Sequence, residues 1–251
     1  MFDVFGALLL GVICAADMTI LISLAAIRPV VKFAAFIIAA AWTLLIFSIA
    51  ALGGFASSAT GPLPAPAIAF LILMFGGLLA WFAWPAFRDA MLSIPLAGLV
   101  GINAFRIGGI CFLILHYRGR LAAPFATSAG WGDMIADLAA ILLAGMAAWR
   151  GKLPKVLLAV WNAFGALDLI VAIILGVLSP PGTPFRVFTD APGTVAMGTL
   201  PWVGVPTLLV PLYLMTHLTI AVRLRSVDAK HATTPGQVDN SPRRIATRRA
   251  A

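Results

Sequence analysis

The sequence predicts an all-α fold, a polytopic bundle of seven transmembrane helices with the N-terminus outside and the C-terminus in the cytoplasm. Three observations carry that expectation. The chain is 62% hydrophobic and only 10% charged, whereas a soluble domain carries about 25% charged residues. It divides into seven apolar segments, each close to the ~20 residues that cross ~30 Å of hydrocarbon. Its basic residues are also distributed unevenly between the two ends of those segments, as topology signals are.

The segments run over residues 4–27, 33–53, 67–87, 94–116, 132–149, 156–178 and 203–222. Connections are short except 179–202, where Pro180, Pro181, Pro184, Pro192 and Pro201 argue against a continuous helix. No internal repeat is apparent. The N-terminus begins with MFDVFGALLL, which has an aspartate in place of the positive region of a signal peptide, so the first segment reads as a retained helix. Residues 1–222 then form the membrane domain. Residues 223–251 read as a basic, disordered cytoplasmic tail.

Orientation follows from charge. If seven helices alternate, thirteen lysines and arginines share one side: Arg28, Lys32, Arg88, Arg150, Lys152, Lys155 and seven in the tail. Three lie opposite (Arg118, Arg120 and Arg186), and Arg106 is inside the fourth segment. Arg118 and Arg120 read as anchors reaching for the interface beside Tyr117, with an outward anionic contact as the alternative. The formal charge of +8 therefore marks topology, and no nucleic-acid partner is expected. Trp81, Trp84, Trp131, Trp149 and Trp202 fall near segment ends, as an interfacial belt would, while Trp42 reads as a packing residue.

Polar residues inside the segments are where function is sought, because they are costly there. Arg106 lies near the middle of the fourth segment, with Asn103 three residues earlier on the same helical side. A guanidinium at that depth costs ~2.5–3.5 kcal/mol on insertion scales, and it cannot deprotonate to escape. Asp17 and Asp168 lie at about its depth, and Asp137 within a turn or two. Thr19 and Ser23 point away from Asp17, which must find a partner on another helix. Trp161, Gly165 and Asp168 share one face, with Asn162 beside it. Asp133 and Asp137 are one turn apart near the outer end of the fifth segment, on a stripe continued by the small residues Ala140 and Ala144. His217 follows Pro206 and Pro211 in the seventh. One arginine satisfies one carboxylate bidentately, so at least one aspartate is left without a permanent cation. The expected pair is Arg106 with Asp168 or Asp17, Asp168 being preferred, inside a polar centre built by the first, fourth, fifth and sixth helices.

Several chemistries are excluded or weakened. Residues 203–222 hold no lysine for a retinal Schiff base. His116 and His217 differ in depth by roughly 20 Å at 1.5 Å per residue, too far to share one haem iron. The spacing of His116, Asp133 and Asp137 matches no metal signature, and Asp133-Met-Ile-Ala-Asp137 is a single DxxxD without a second aspartate-rich element. There is no GxSxG, P-loop or Gly-rich nucleotide loop. Cys14 and Cys111 read as small core hydrophobes. No cofactor and no metal site is expected.

Arg106-Ile-Gly-Gly, HYRGRLAAPFATSAGWGD (116–133), WNAFGALD (161–168) and LPWVGVPTLLVP (200–211) with His217 together resemble a set of small bacterial polytopic membrane proteins with no established activity. The resemblance covers about residues 100–222. It implies a bacterial inner-membrane setting, and that Arg106, Asp133, Trp161, Asn162, Asp168, Pro201 and His217 belong to one constellation. The function expected first is transport or permeation of a small solute or cation, linked to protons through an aspartate, with the lipid bilayer as surroundings. A non-catalytic membrane sensor or assembly subunit is the alternative. A lipid-modifying enzyme using Asp133 and Asp137 is a third reading, and a non-enzyme is favoured over it.

Overall fold

The computed structural model describes residues 1–55, 63–151 and 153–232, and its regular elements there are all helical. Helix α1 covers Phe2–Leu24, α2 Pro29–Ala51, α3 Ala65–Ala83 and the short α4 Pro85–Ser93. The fourth span is composite: α5 (Leu96–Gly101), a 3₁₀ segment (Ile102–Gly109) and α6 (Ile110–Tyr117). Helix α7 covers Phe125–Arg150 and α8 Lys155–Leu178. A π-helical turn, Val205–Leu209, leads into α9, Val210–Ala232. Seven of the described spans are long and apolar enough to cross a membrane.

Local chemistry sets several boundaries. Pro29 and Pro85 open α2 and α4, where a missing N–H costs nothing. Gly151, at φ +67°, closes α7 in the left-handed conformation that favours glycine. The π turn falls where Pro206 and Pro211 interrupt the backbone ladder five residues apart.

Cross-links identify the two ends of the bundle. At one, Arg120 Nη1 donates to Asp3 Oδ1 at 2.7 Å, and the Trp202 indole donates to the same oxygen at 2.9 Å. At the other, the Ala26 N–H donates to Ser93 Oγ at 2.9 Å, and Arg223 donates to the Ile94 carbonyl. Helix α9 runs past residue 222, where the apolar stretch ends. Positions 233–251, most of the expected tail, lie outside the described residues.

Burial is inverted relative to a soluble protein. Large apolar side chains such as Phe5, Leu8, Val12, Phe33, Ile38 and Leu142 are exposed on the bundle surface, while Asp17, Asn103, Arg106, Asp137 and His217 are buried within it. Together with the seven spans, this is the arrangement of a multi-pass membrane protein. The tryptophans divide: Trp84, Trp131 and Trp149 are exposed as a belt requires, but Trp81 and Trp202 are buried. The correction has a physical cause. Trp202 stacks on Phe2 at 5.3 Å and fills the space left by Gly6, so it belongs to the packed end of the bundle. Trp42 donates to the Thr207 carbonyl at 3.1 Å and packs as expected.

Candidate functional site

The fourth span loses α-helical form where Gly101, Asn103, Gly108 and Gly109, all weak helix formers, cluster around Arg106. In a 3₁₀ helix residues three apart eclipse one another. Asn103, Arg106 and Gly109 therefore form one buried row, of which Arg106 and Gly109 meet Asp133 of α7. The pairing of Asn103 with Arg106 on one side survives the change of helix type.

Arg106 is 2% exposed, and its whole guanidinium is engaged. Nη2 donates to Asp168 Oδ2 at 2.5 Å, the expected pairing. Nε donates to Asp133 Oδ1 at 2.9 Å, and Nη2 lies 2.8 Å from the same oxygen. Nη1 faces the Gly165 carbonyl at 3.3 Å and His217 Nε2 at 3.4 Å. The Tyr213 ring lies beneath, its centroid 5.9 Å from Cζ. The arginine thus binds a carboxylate from α7 and another from α8, and touches α9.

His217 is oriented in turn. The Asn162 amide donates to the His217 carbonyl at 3.2 Å, which leaves Asn162 Oδ1 facing His217 Nδ1 at 2.9 Å. That geometry assigns the ring proton to Nδ1 and leaves the Nε2 lone pair for Arg106. Trp161 stacks obliquely on the imidazole at 5.3 Å and donates its indole N–H to the Ala136 carbonyl at 2.9 Å.

Glycines make this convergence possible. A Cβ on Gly132 would overlap the Asp168 carboxylate, and one on Gly109 would overlap Asp133. A Cβ on Gly165 would lie 2.6 Å from His217 Cε1 and 3.2 Å from Arg106 Nη1. Each glycine is a place where one helix lets another's polar side chain reach across.

Two further carboxylates stand apart. Asp17, on the buried α1 stripe Gly6, Leu10, Ile13, Asp17 and Leu21, accepts a hydrogen bond from Tyr213 Oη at 2.7 Å through Oδ2, and its Oδ1 has no partner. Thr19 and Ser23 do face away from it. Asp17 is therefore not the partner of Arg106, and neither is Asp137. Asp137 is fully buried, and neither of its oxygens has a hydrogen bond.

The centre departs from expectation in three respects. Asp133, grouped with Arg106 by the resemblance but expected near the outer end of its helix, lies deeper and is a direct partner of Arg106. Helix α7 begins at Phe125, seven residues before the apolar stretch, so Asp133 lies two turns inside it. The seventh span, absent from the four helices expected to build the centre, joins it through Tyr213 as well as through His217, which the resemblance includes. Pro201, which the resemblance placed in the constellation, packs instead at Gly6 beside Trp202. Arg118 lies over Phe2 at 4.6 Å and Arg120 pairs with Asp3, so both tie the chain's beginning to the 118–124 connection.

Cavities reach the centre from one side. A small one of about 30 Å³ is lined by Arg106, Asp133, Tyr213, Ile13 and Trp202, room for about two waters at ~10–15 Å³ each. Beside it a larger cavity of about 110 Å³ extends from residues 63–67 and 180–195 to Asp133. Both share Phe112, Asp133, Leu169 and Val210 as walls. Among the described residues, no three of His, Cys, Asp or Glu come together as a metal-binding group.

No curated protein and no solved structure matches the chain. A family model does, over residues 63–225, a span that contains Arg106, Asp133, Asp137, Trp161, Asn162, Asp168, Tyr213 and His217 and omits Asp17. Its description is "Domain of unknown function (DUF8737)", and with more than half of its length matched, the chain belongs to that family.

Proposed function

We propose that the bundle is a passage for a small cationic solute across a bacterial inner membrane, with the Arg106 centre as its selective constriction. The observation that carries this reading is an excess of carboxylates. Asp17, Asp133, Asp137 and Asp168 are all directed into the bundle against one guanidinium, and Asp133 forms the inner end of a cavity. Unbalanced carboxylates at membrane depth favour a bound cation or a proton. The distribution of basic residues favours an outside N-terminus and a cytoplasmic end for α9, and in that orientation the cavity opens toward the outside.

Reconstitution tests the proposal. Proteoliposomes containing the full chain should take up small monovalent or organic ammonium cations faster than empty liposomes, with saturation and without anion flux. If protons, alkali ions and small ammonium ions all fail to move, the reading is wrong.

A second reading rests on a different observation. The guanidinium of Arg106 is held by α7, α8 and α9 together, which suits a clamp fixing helix register in a sensor or assembly subunit. The lipid-enzyme reading has less behind it, because Asp137 is buried without access while Asp133 is held by Arg106. The two carboxylates do not face one opening.

A further inference from the structure

Building on that reading, the geometry points to a specific occupant: we propose that the larger cavity binds a small organic ammonium ion with an apolar body about the size of one aromatic ring. Its walls are apolar and aromatic, with Phe70, Phe112, Phe125, Leu169 and Ile173 prominent. At about 110 Å³ it is somewhat smaller than the enclosed ~150 Å³ apolar cavity that, engineered into a protein core, takes up benzene. It is open, however, at the end formed by residues 63–67 and 180–195, so a ring need not be wholly enclosed. Among the described residues of its wall, Asp133 alone is charged.

The two wall threonines already spend their hydroxyl protons within the chain. Thr194 Oγ1 donates to the Gly176 carbonyl at 3.1 Å, and Thr183 Oγ1 to the Pro180 carbonyl at 3.2 Å. Asp133 is different. Both Arg106 contacts fall on Oδ1, so Oδ2 is not engaged by the arginine. Two carboxylates flank one guanidinium, and an ammonium group at Asp133 would balance the charge. An anion would meet a carboxylate, with the guanidinium behind it already saturated. A neutral apolar molecule would fill the volume but leave the carboxylate unanswered. The nearby rings add a favourable surface, since a cation close to an aromatic face is attracted by its quadrupole. Phe112 and Phe125 meet at 5.8 Å with their planes 52° apart, so two rings line one corner of the space.

The test uses the full chain in lipid nanodiscs, with benzylammonium as probe and benzyl alcohol as its uncharged counterpart, both titrated calorimetrically at neutral pH against empty nanodiscs. Benzylammonium should bind saturably and at least ten-fold more tightly than the alcohol. Asp133→Asn should abolish that preference. Ala172→Phe, which fills the cavity from α8, should weaken benzylammonium binding at least ten-fold at an unchanged melting temperature. If Asp133→Asn does not fold, the alcohol comparison and Ala172→Phe decide. Equal binding of the two probes, undiminished binding to folded Ala172→Phe, or no saturable binding would each overturn the site. Flux is a separate readout: binding without flux retains this site and removes the passage, whereas flux of small cations without probe binding does the reverse.

Discussion

Gly132 on α7 and Asp168 on α8 are in direct contact, so close that a methyl group at position 132 would overlap the carboxylate. The ion pair with Arg106 therefore depends on a residue that has no side chain. Gly132→Ala should push Asp168 away from Arg106 and destabilise the bundle by ~1–3 kcal/mol, the usual cost of overpacking. Gly145→Ala on the same helix provides the contrast, because nothing lies within 4 Å of its Cβ. There the gain in helix propensity should stabilise by ~0.5–1 kcal/mol. Thermal unfolding in one detergent compares the two directly, and equal effects would remove Gly132 from the site.

The two carboxylates on Arg106 make the single variants unequal. Arg106→Met leaves Asp133 and Asp168 facing each other without a cation, whereas Asp168→Asn leaves Arg106 with Asp133. Removing one partner of a buried pair costs ~3–5 kcal/mol. Arg106→Met should reach that range and Asp168→Asn should fall below it. The double variant should be less destabilised than the sum of the two. A strictly additive cycle in denaturation measurements would contradict the direct contact.

What the sequence makes legible follows from what each residue costs. The seven spans stand out because apolar length is hard to disguise. The Arg106–Asp168 pair is within reach because an arginine at mid-depth demands a carboxylate at the same depth. The depth of Asp133 is misread for an equally physical reason. The first two turns of α7, FATSAGW, are small and mildly polar, so hydropathy alone starts the helix too late and puts the aspartate at its end. Tyr213 gives a weaker signal, since a tyrosine reads as core, although it lies one turn before His217. Glycines 109 and 165 each stand three positions from a charged residue of the centre, and Gly132 is adjacent to one. That spacing is the sign of a cradle. The 3₁₀ form of 102–109 has no comparable mark beyond its glycine content.

His217 holds a different balance, because it links Asn162 to Arg106. His217→Phe preserves the ring and its packing on Trp161 but leaves Asn162 Oδ1 without its donor and Arg106 Nη1 without one acceptor. Unsatisfied buried polar groups cost ~1–3 kcal/mol each. His217→Phe should therefore lower stability measurably, and Asn162→Leu combined with it should add little further loss. Full additivity in thermal unfolding would mean that the two side chains act independently.

At the N-terminal end, two contacts to Asp3 of different kinds allow the last prediction. The Asp3–Arg120 pair is partly exposed on both sides, at 48% and 37%, and exposed pairs contribute only ~0–1 kcal/mol. Trp202 is fully buried, stacks on Phe2 and donates its indole N–H to the same aspartate. Truncating a buried tryptophan costs ~3–5 kcal/mol through the cavity left behind. Arg120→Gln should change the melting temperature little, and its small effect should fade with added salt, since screening weakens exposed pairs. Trp202→Ala should destabilise strongly at every salt concentration, because its contribution is packing against α1. If Arg120→Gln proved as damaging as Trp202→Ala, the first residues would be held to the bundle by charge, and the aromatic stack would be secondary.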